Sequence, residues 1–255
     1  MRMNQDIWQV QVIRVIGKIV SFLFLTVVVI FVSYGIYALW DTYTIIQSAS
    51  PEQYEKYKPG EDDGLSYEEL CKINSDVVGW LTIYGTNIDY PLVQTTDNNK
   101  YLSYDVLGEY SLSGSIFLDY RNQKDFSDFN TIIHGHHMEH HVMFGDIELF
   151  QKKKFFDTHL YGNLYYDGKD HGIRIFAFIE TDAYSCGLFT PAVDGARLQK
   201  LYLDEIKETA KYIRELPAND DARIVVLSTC TGNITNGRHL LVGEIMDETY
   251  IDQFK

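Results

Sequence analysis

Cysteine, proline and positive charge are all scarce in this chain. Its three cysteines are too few, and odd in number, for a disulfide framework. Five prolines against eighteen glycines exclude collagen-like and low-complexity material. Only 22 basic residues stand against 36 acidic ones, a formal charge of −14. That balance excludes nucleic acid as the main partner, because phosphate binding needs a net basic face. What is plentiful is apolar surface: 45% of the 255 residues are hydrophobic, so the chain is not disordered. The length suits one domain with its own core plus an accessory segment.

Charge is missing altogether between Ile19 and Trp40, a run of 22 residues. As a helix at about 1.5 Å per residue it reaches roughly 33 Å, enough to cross a hydrocarbon core of about 30 Å. Arg2, Arg14 and Lys18 precede the run and Asp41 follows it. The positive-inside rule then predicts residues 1–18 in the cytoplasm and 19–40 as an uncleaved signal anchor in membrane lipid. Tyr34, Tyr37 and Trp40 gather at its outer end, where aromatic rings favour the interface. No small-x-small site suggests cleavage. The expected localisation is the cell membrane, single-pass, with everything after the anchor extracellular.

Residues 41–64 read as a juxtamembrane linker with a short helix, Ser50 as its N-cap, Pro51 at N1 and Gln53 completing a capping box. Ser66 and Glu69 repeat that spacing and predict a second short helix over 66–74. Strand patterns then dominate: 77–83 and 88–93 around the turn Tyr84-Gly85-Thr86-Asn87, followed by 115–120, 131–134, 160–167, 172–181, 223–229 and 239–246. Leu198, Leu201, Tyr202, Ile206, Ala210 and Ile213 recur at helical spacing behind an N-cap at Asp194, predicting one helix over 194–215. Residues 65–255 are therefore expected to form one mostly β domain, a closed antiparallel-rich barrel of seven to eight strands.

Two segments carry candidate chemistry. Arg223-Ile-Val-Val-Leu-Ser-Thr-Cys230 is a β-branched strand ending in a thiol, followed by a turn-rich loop and Arg238. Cys71 and Cys186 lie in ordinary surroundings and read as packing. The segment His134-Gly-His-His-Met-Glu-His-His141 holds five of the eight histidines. One reading is a zinc hydrolase, with His136/His140 or His137/His141 on a helix face. Against it, HExxH is absent, and HxHxDH begins at His134 and fails at Met138. The other reading makes one histidine at the strand end the acid–base partner of Cys230, with Arg238 stabilising an oxyanion.

The segment Leu227-Ser-Thr-Cys230 resembles the TLxTC signature of sortases, with Val226 where that family usually has Thr. Gly135-His136 resembles the Gly-His that follows a strand in that family, and Arg238 matches its arginine across the last loop. The helix before the cysteine strand, the N-terminal helices and the GHHM…MFG run resemble class B in particular. The resemblance implies a sortase-like closed barrel preceded by a single transmembrane helix, with His136, Cys230 and Arg238 catalytic. His137, beside His136, is the alternative histidine. It further implies a cysteine transpeptidase with no metal or cofactor, acting on exported proteins that bear a C-terminal sorting signal of Asn-Pro-x-Thr type. A peptidoglycan precursor or a pilin amine would be the acceptor. Asn98, Leu102, Ser228 and Thr229 follow as substrate contacts, although Asn98 also reads as a helix cap.

Overall fold

The computed structural model of the protein describes residues 2–60, 66–184, 187–217, 222–230 and 237–254. Cys186 lies outside them, as does the Cys230 side chain. The chain divides into two units, Met1–Ile45 and Ile46–Lys255. The first unit is part of one continuous helix, α1 (Arg2–Ala49), which continues well past the uncharged run at both ends. It is long and apolar enough to cross a membrane, and its side chains from 19 to 40 are exposed.

The second unit opens with a 3-10 turn, Pro51–Tyr57, rather than an α-helix. Pro51 sits at its start as expected, but Gln53 donates to Ser48 O and closes no capping box. The second box does form: α2 (Tyr67–Ile73) begins with Ser66 N–H donating to Glu69 Oε2 at 3.2 Å.

Nine strands follow among the described residues. They are β1 (Val77–Ile83), β2 (Asp89–Val93), β3 (Ile116–Leu118), β4 (Asn130–His134), β5 (Tyr161–Tyr166), β6 (Lys169–Asp182), β7 (Ala210–Ile213), β8 (Arg223–Cys230) and β9 (Gly237–Met246). Hydrogen bonding runs in the order β5-β1-β2-β3-β4-β8-β9-β6, and β6 returns to β5. That circuit is a closed eight-stranded barrel, and β6 runs on beyond its pairing with β5, leaving an edge there that β7 takes. Its pairs are antiparallel except β2–β3 and β4–β8. The β1–β2 hairpin turns at the expected tetrapeptide, with Gly85 at φ +74 and Ile83 N–H bonded to Ile88 O at 2.8 Å.

The remaining strand corrects a prediction. The helix expected over 194–215 is α4 (Ala196–Thr209), capped at Gly195 rather than Asp194. Its last predicted turn is instead β7, in which Tyr212 and Ile213 pair with Phe178 and Ala177 of β6. Leu198 and Leu201 are exposed, whereas Tyr202 and Ile206 are buried. Helical spacing continued through 210–213, but a free edge of β6 captured those residues. Short helical turns over Gly145–Gln151 (3-10) and Lys153–Thr158 (α3) went unpredicted.

Strand β8 is buried on both faces, and its alternation shows why it reads as a continuous apolar run. Val225 and Leu227 join the larger core with Ile133, Leu118 and Leu241. Ile224 and Val226 join a second core with Tyr202 and Ile206 of α4. Each such aliphatic side chain contributes roughly 1.5–3 kcal/mol through burial. The strand that ends at Cys230 is therefore fixed from both sides.

Candidate active site

Strand order converts three distant positions into one site. β8 lies between β4 and β9. On the β4 side the parallel ladder ends at His134–Ser228, and Gly135 N–H bonds to Ser228 O at 3.2 Å. On the β9 side the antiparallel ladder ends at Cys230–Arg238. His136, two residues past the end of its ladder, and Arg238 thus flank the last residue of β8.

A cleft of about 210 Å³ opens there, lined by His134, Gly135 and His136 from β4 and its extension, and by Ser228, Thr229 and Arg238 from β8 and β9. Asn98, Leu102 and Phe117 complete its wall. The sequence-predicted residues His136, Arg238, Asn98, Leu102, Ser228 and Thr229 therefore share one cleft, and the backbone of Cys230 adjoins it.

His136 Nε2 lies 3.0 Å from Leu102 O. A carbonyl only accepts, so Nε2 carries hydrogen and Nδ1 is the nitrogen left to exchange a proton. His136 O accepts from Phe144 N–H at 3.0 Å, which holds the backbone on the other side. Gly135 must be glycine: a Cβ there would lie 2.5 Å from Ile116 Cδ1 and 2.7 Å from Phe144 Cδ2. Arg238 bonds to Gly237 O and has no carboxylate partner among the described residues. Its charge is thus available to a ligand. Thr229 is buried, and its Oγ1 has no hydrogen-bond partner among the described residues.

Asn98 lines the cleft through a committed amide. Its Nδ2 donates to Asp119 Oδ2 at 2.9 Å and its Oδ1 accepts from Tyr120 N–H at 3.0 Å. Asn98 caps no helix: the short 3-10 turn Lys100–Leu102 has Asn99 as its N-cap, and Asp97 accepts from Asn99 and Lys100 N–H.

Asp119 was not anticipated. Its side chain is fully buried, and it binds Arg121 through two 2.8 Å bonds and His134 Nε2 at 3.1 Å. Burial pushes its pKa up, but the bonds from Arg121, His134 and Asn98 prevail and hold it well below the usual carboxylate range. The only sequence signal was an acid directly after an apolar strand, with Arg121 two residues on.

The histidine cluster does not form the zinc site considered above. Residues 135–144 are a loop rather than a helix, and His140 and His141 have φ of 62° and 63°. Four of the imidazoles face separate partners: His134 Asp119, His136 Leu102 O, His137 Glu148 and His141 Asp146. Among the described residues no three His, Cys, Asp or Glu side chains converge as metal ligands. His137 lines a different cleft from His136.

A closed barrel with histidine, cysteine and arginine brought to the ends of three adjacent strands defines a sortase-type architecture. No protein-family model matches the sequence. Similarity to individual proteins is extensive. Sortase B of Listeria monocytogenes is 35% identical over 180 residues, covering 70% of this chain and 73% of that protein. The crystal structure of sortase B from the type II pilus of Streptococcus pneumoniae is 43% identical, with a TM-score of 0.63, covering 72% of this chain and all of that one. A Streptococcus pyogenes class B sortase involved in pilus biogenesis is 42% identical, with a TM-score of 0.66, covering 71% and 98%. The chain belongs to the sortase B family and is a cysteine transpeptidase.

Proposed function

We propose that this protein is a membrane-anchored transpeptidase that cleaves a C-terminal sorting signal of Asn-Pro-x-Thr type after its threonine. Residues 1–18 stay in the cytoplasm, 19–40 span the membrane, 41–64 form the linker, and 65–255 form the extracellular catalytic domain. The observation that carries this reading is the placement of Cys230 between the His136 and Arg238 strands, at one cleft.

The donor peptide lies extended in the cleft, against Leu102, Ser228 and Thr229, with Asn98 shaping the wall. The Cys230 thiolate attacks the threonine carbonyl carbon, forming a C–S bond and an oxyanion that Arg238 stabilises. Collapse breaks the peptide C–N bond, and His136 protonates the departing amine. The thioester then passes to an amine of a wall precursor or a pilin. Two similar solved proteins are pilus sortases, so a pilin amine is included among the acceptors to test.

The test is a panel of fluorogenic Asn-Pro-x-Thr and Leu-Pro-x-Thr peptides, with the acyl-enzyme followed by intact mass. Wild-type enzyme is expected to cleave the Asn-Pro set and gain the acyl mass, and Cys230→Ala to do neither. Turnover by Cys230→Ala would sink the thioester assignment, and cleavage of the Leu-Pro set alone would sink the signal.

A further inference from the structure

No acid lines the donor cleft, yet one stands directly behind its wall. Asp119 follows β3 at once, and its side chain is fully buried. Burying a carboxylate is costly unless every lone pair is engaged, and here they are. Oδ1 accepts from Arg121 N–H at 3.0 Å and from Arg121 Nε at 2.8 Å. Oδ2 accepts from Arg121 Nη2 at 2.8 Å, Asn98 Nδ2 at 2.9 Å and His134 Nε2 at 3.1 Å. The main chain at Asp119 is held as firmly: its N–H donates to Ile132 O at 2.9 Å, and Gln94 Nε2 donates to its O at 2.8 Å. Asn98 and His134, which share Oδ2, both line the cleft.

His134 is the last residue of β4, in register with Ser228 of β8, another cleft residue. Its ring packs on Phe117 with centroids 5.2 Å apart, and the side chain keeps 24% exposure. A carboxylate accepts and never donates, so Nε2 carries hydrogen and the neutral ring is left with a bare Nδ1. That nitrogen is neither bonded among the described residues nor buried. At this point the cleft wall therefore offers a hydrogen-bond acceptor.

Asn98 is set by the same carboxylate. With Oδ1 taking the Tyr120 N–H and Nδ2 on Asp119, its amide has one orientation only. Reversal would set Nδ2 against the Tyr120 N–H and Oδ1 against the carboxylate.

We infer that His134 is a specificity-determining residue, accepting a hydrogen bond at Nδ1 from an amide N–H of the donor peptide, and that Asp119 is the positioning residue that leaves Nδ1 bare. This rests on the donor-cleft reading above and names a further contact of that substrate. The N–H belongs either to the side chain of the signal's asparagine or to the peptide main chain. Asp119 itself stays behind the wall and acts through His134 and Asn98.

Asparagine at position 119 inverts this arrangement. Its oxygen stays with the Arg121 N–H and Nε that Oδ1 now serves, so its NH2 takes the place of Oδ2. An amide N–H aimed at His134 needs a bare Nε2, which moves the ring hydrogen to Nδ1, where it opposes the peptide N–H. The same exchange beside a Ser-His-Asp histidine produces the wrong tautomer.

The experiment uses the full chain in detergent, with an Asn-Pro-x-Thr peptide. Asp119→Asn should raise the donor KM about tenfold while kcat stays within about threefold. His134→Phe, which keeps a ring on Phe117 but has no ring nitrogen, should do the same. In an Asn98→Ala/His134→Phe background, Asp119→Asn should add less than about twofold. A rise there as large as in the wild type would mean that Asp119 acts on the fold alone, and overturns the proposal. A second peptide, with aspartate for the asparagine, separates the two sources of the N–H. Loss of the His134→Phe effect on that peptide assigns the side-chain amide, and a persisting effect assigns the main chain. An unchanged donor KM in His134→Phe on both peptides overturns the contact. The tautomer is read without turnover, by 15N NMR of imidazole-labelled Cys230→Ala enzyme at about pH 8, where the ring is neutral. The His134 hydrogen should sit on Nε2, and on Nδ1 once Asp119→Asn is added. A hydrogen that does not move between the two refutes the role of Asp119, even if the sorting signal is misassigned.

Discussion

Cys230 and Arg238 are the final register pair of the β8–β9 ladder, so the two strands end together at the cleft. Directly paired residues in such a ladder sit about 4.5–5.5 Å apart at Cα, which ties the guanidinium to the cysteine by backbone hydrogen bonds. Removing an oxyanion-stabilising group costs about 10²–10³ in kcat. Arg238→Ala is expected to lose that much in steady-state peptide cleavage. Arg238→Lys should recover only part of it, because an ammonium lacks the planar fork of donors. Full activity in Arg238→Ala would remove the arginine from the mechanism.

His136 anchors Nε2–H on Leu102 O. A glutamine there can still donate to that carbonyl but cannot carry a proton between leaving amine and acceptor. His136→Gln should therefore fold with a thermal midpoint near that of wild type. Its kcat/KM should fall about 10²–10⁴-fold, the usual contribution of a positioned acid–base group. Circular dichroism and peptide kinetics on the same preparation separate the two effects.

The residues of this site were legible because strand register turns sequence position into proximity. β-branched runs ending in Gly-His and Thr-Cys announced two strand ends, and the barrel placed them side by side. What sequence could not show were contacts set by tertiary structure. Asp119 gathers Asn98 and His134 from two other segments, and no local pattern predicts their meeting. Tyr212 and Ile213 continue a helical spacing, and only the open edge of β6 makes them a strand. The turns over 145–158 are too short to show a period.

Asp119 gives the next expectation. Asp119→Ala should cost about 2–3 kcal/mol, less than a fully buried pair because Arg121 is 46% exposed and can rehydrate. For a domain of this size that lowers Tm by roughly 5–10 °C. It should also raise the donor KM, since Asn98 and His134 both line the cleft. The folded carboxyl has a pKa below its ordinary value of 3.8, so its contribution is present above that pH and is lost as pH falls further. Urea melts of wild type and Asp119→Asn should differ most above about pH 4 and converge in acid. A constant gap across that range would show that the carboxylate charge is not what stabilises the fold.

His171 acts in the same direction as Asp119 but in a higher pH range. It is 3% exposed, stacked on Tyr166 with ring centroids 4.0 Å apart, and neither ring nitrogen has a hydrogen-bond partner among the described residues. Burial lowers its pKa, Arg223 and Lys169 lower it further, and Asp247 and Asp170 only partly oppose them. The unfolded chain therefore takes up this proton first as pH falls below the ordinary value of 6.5. Stability is complete above that value and declines as pH drops toward the folded pKa, levelling off below it. His171→Phe keeps the ring stack and removes the titration. Denaturant melts should show the wild type losing stability between about pH 7 and 5 more steeply than His171→Phe. His159 and His239, also shifted down by burial, leave a residual slope in the variant. Identical slopes would mean that His171 is protonated equally in both states, and that its burial carries no pH-dependent cost.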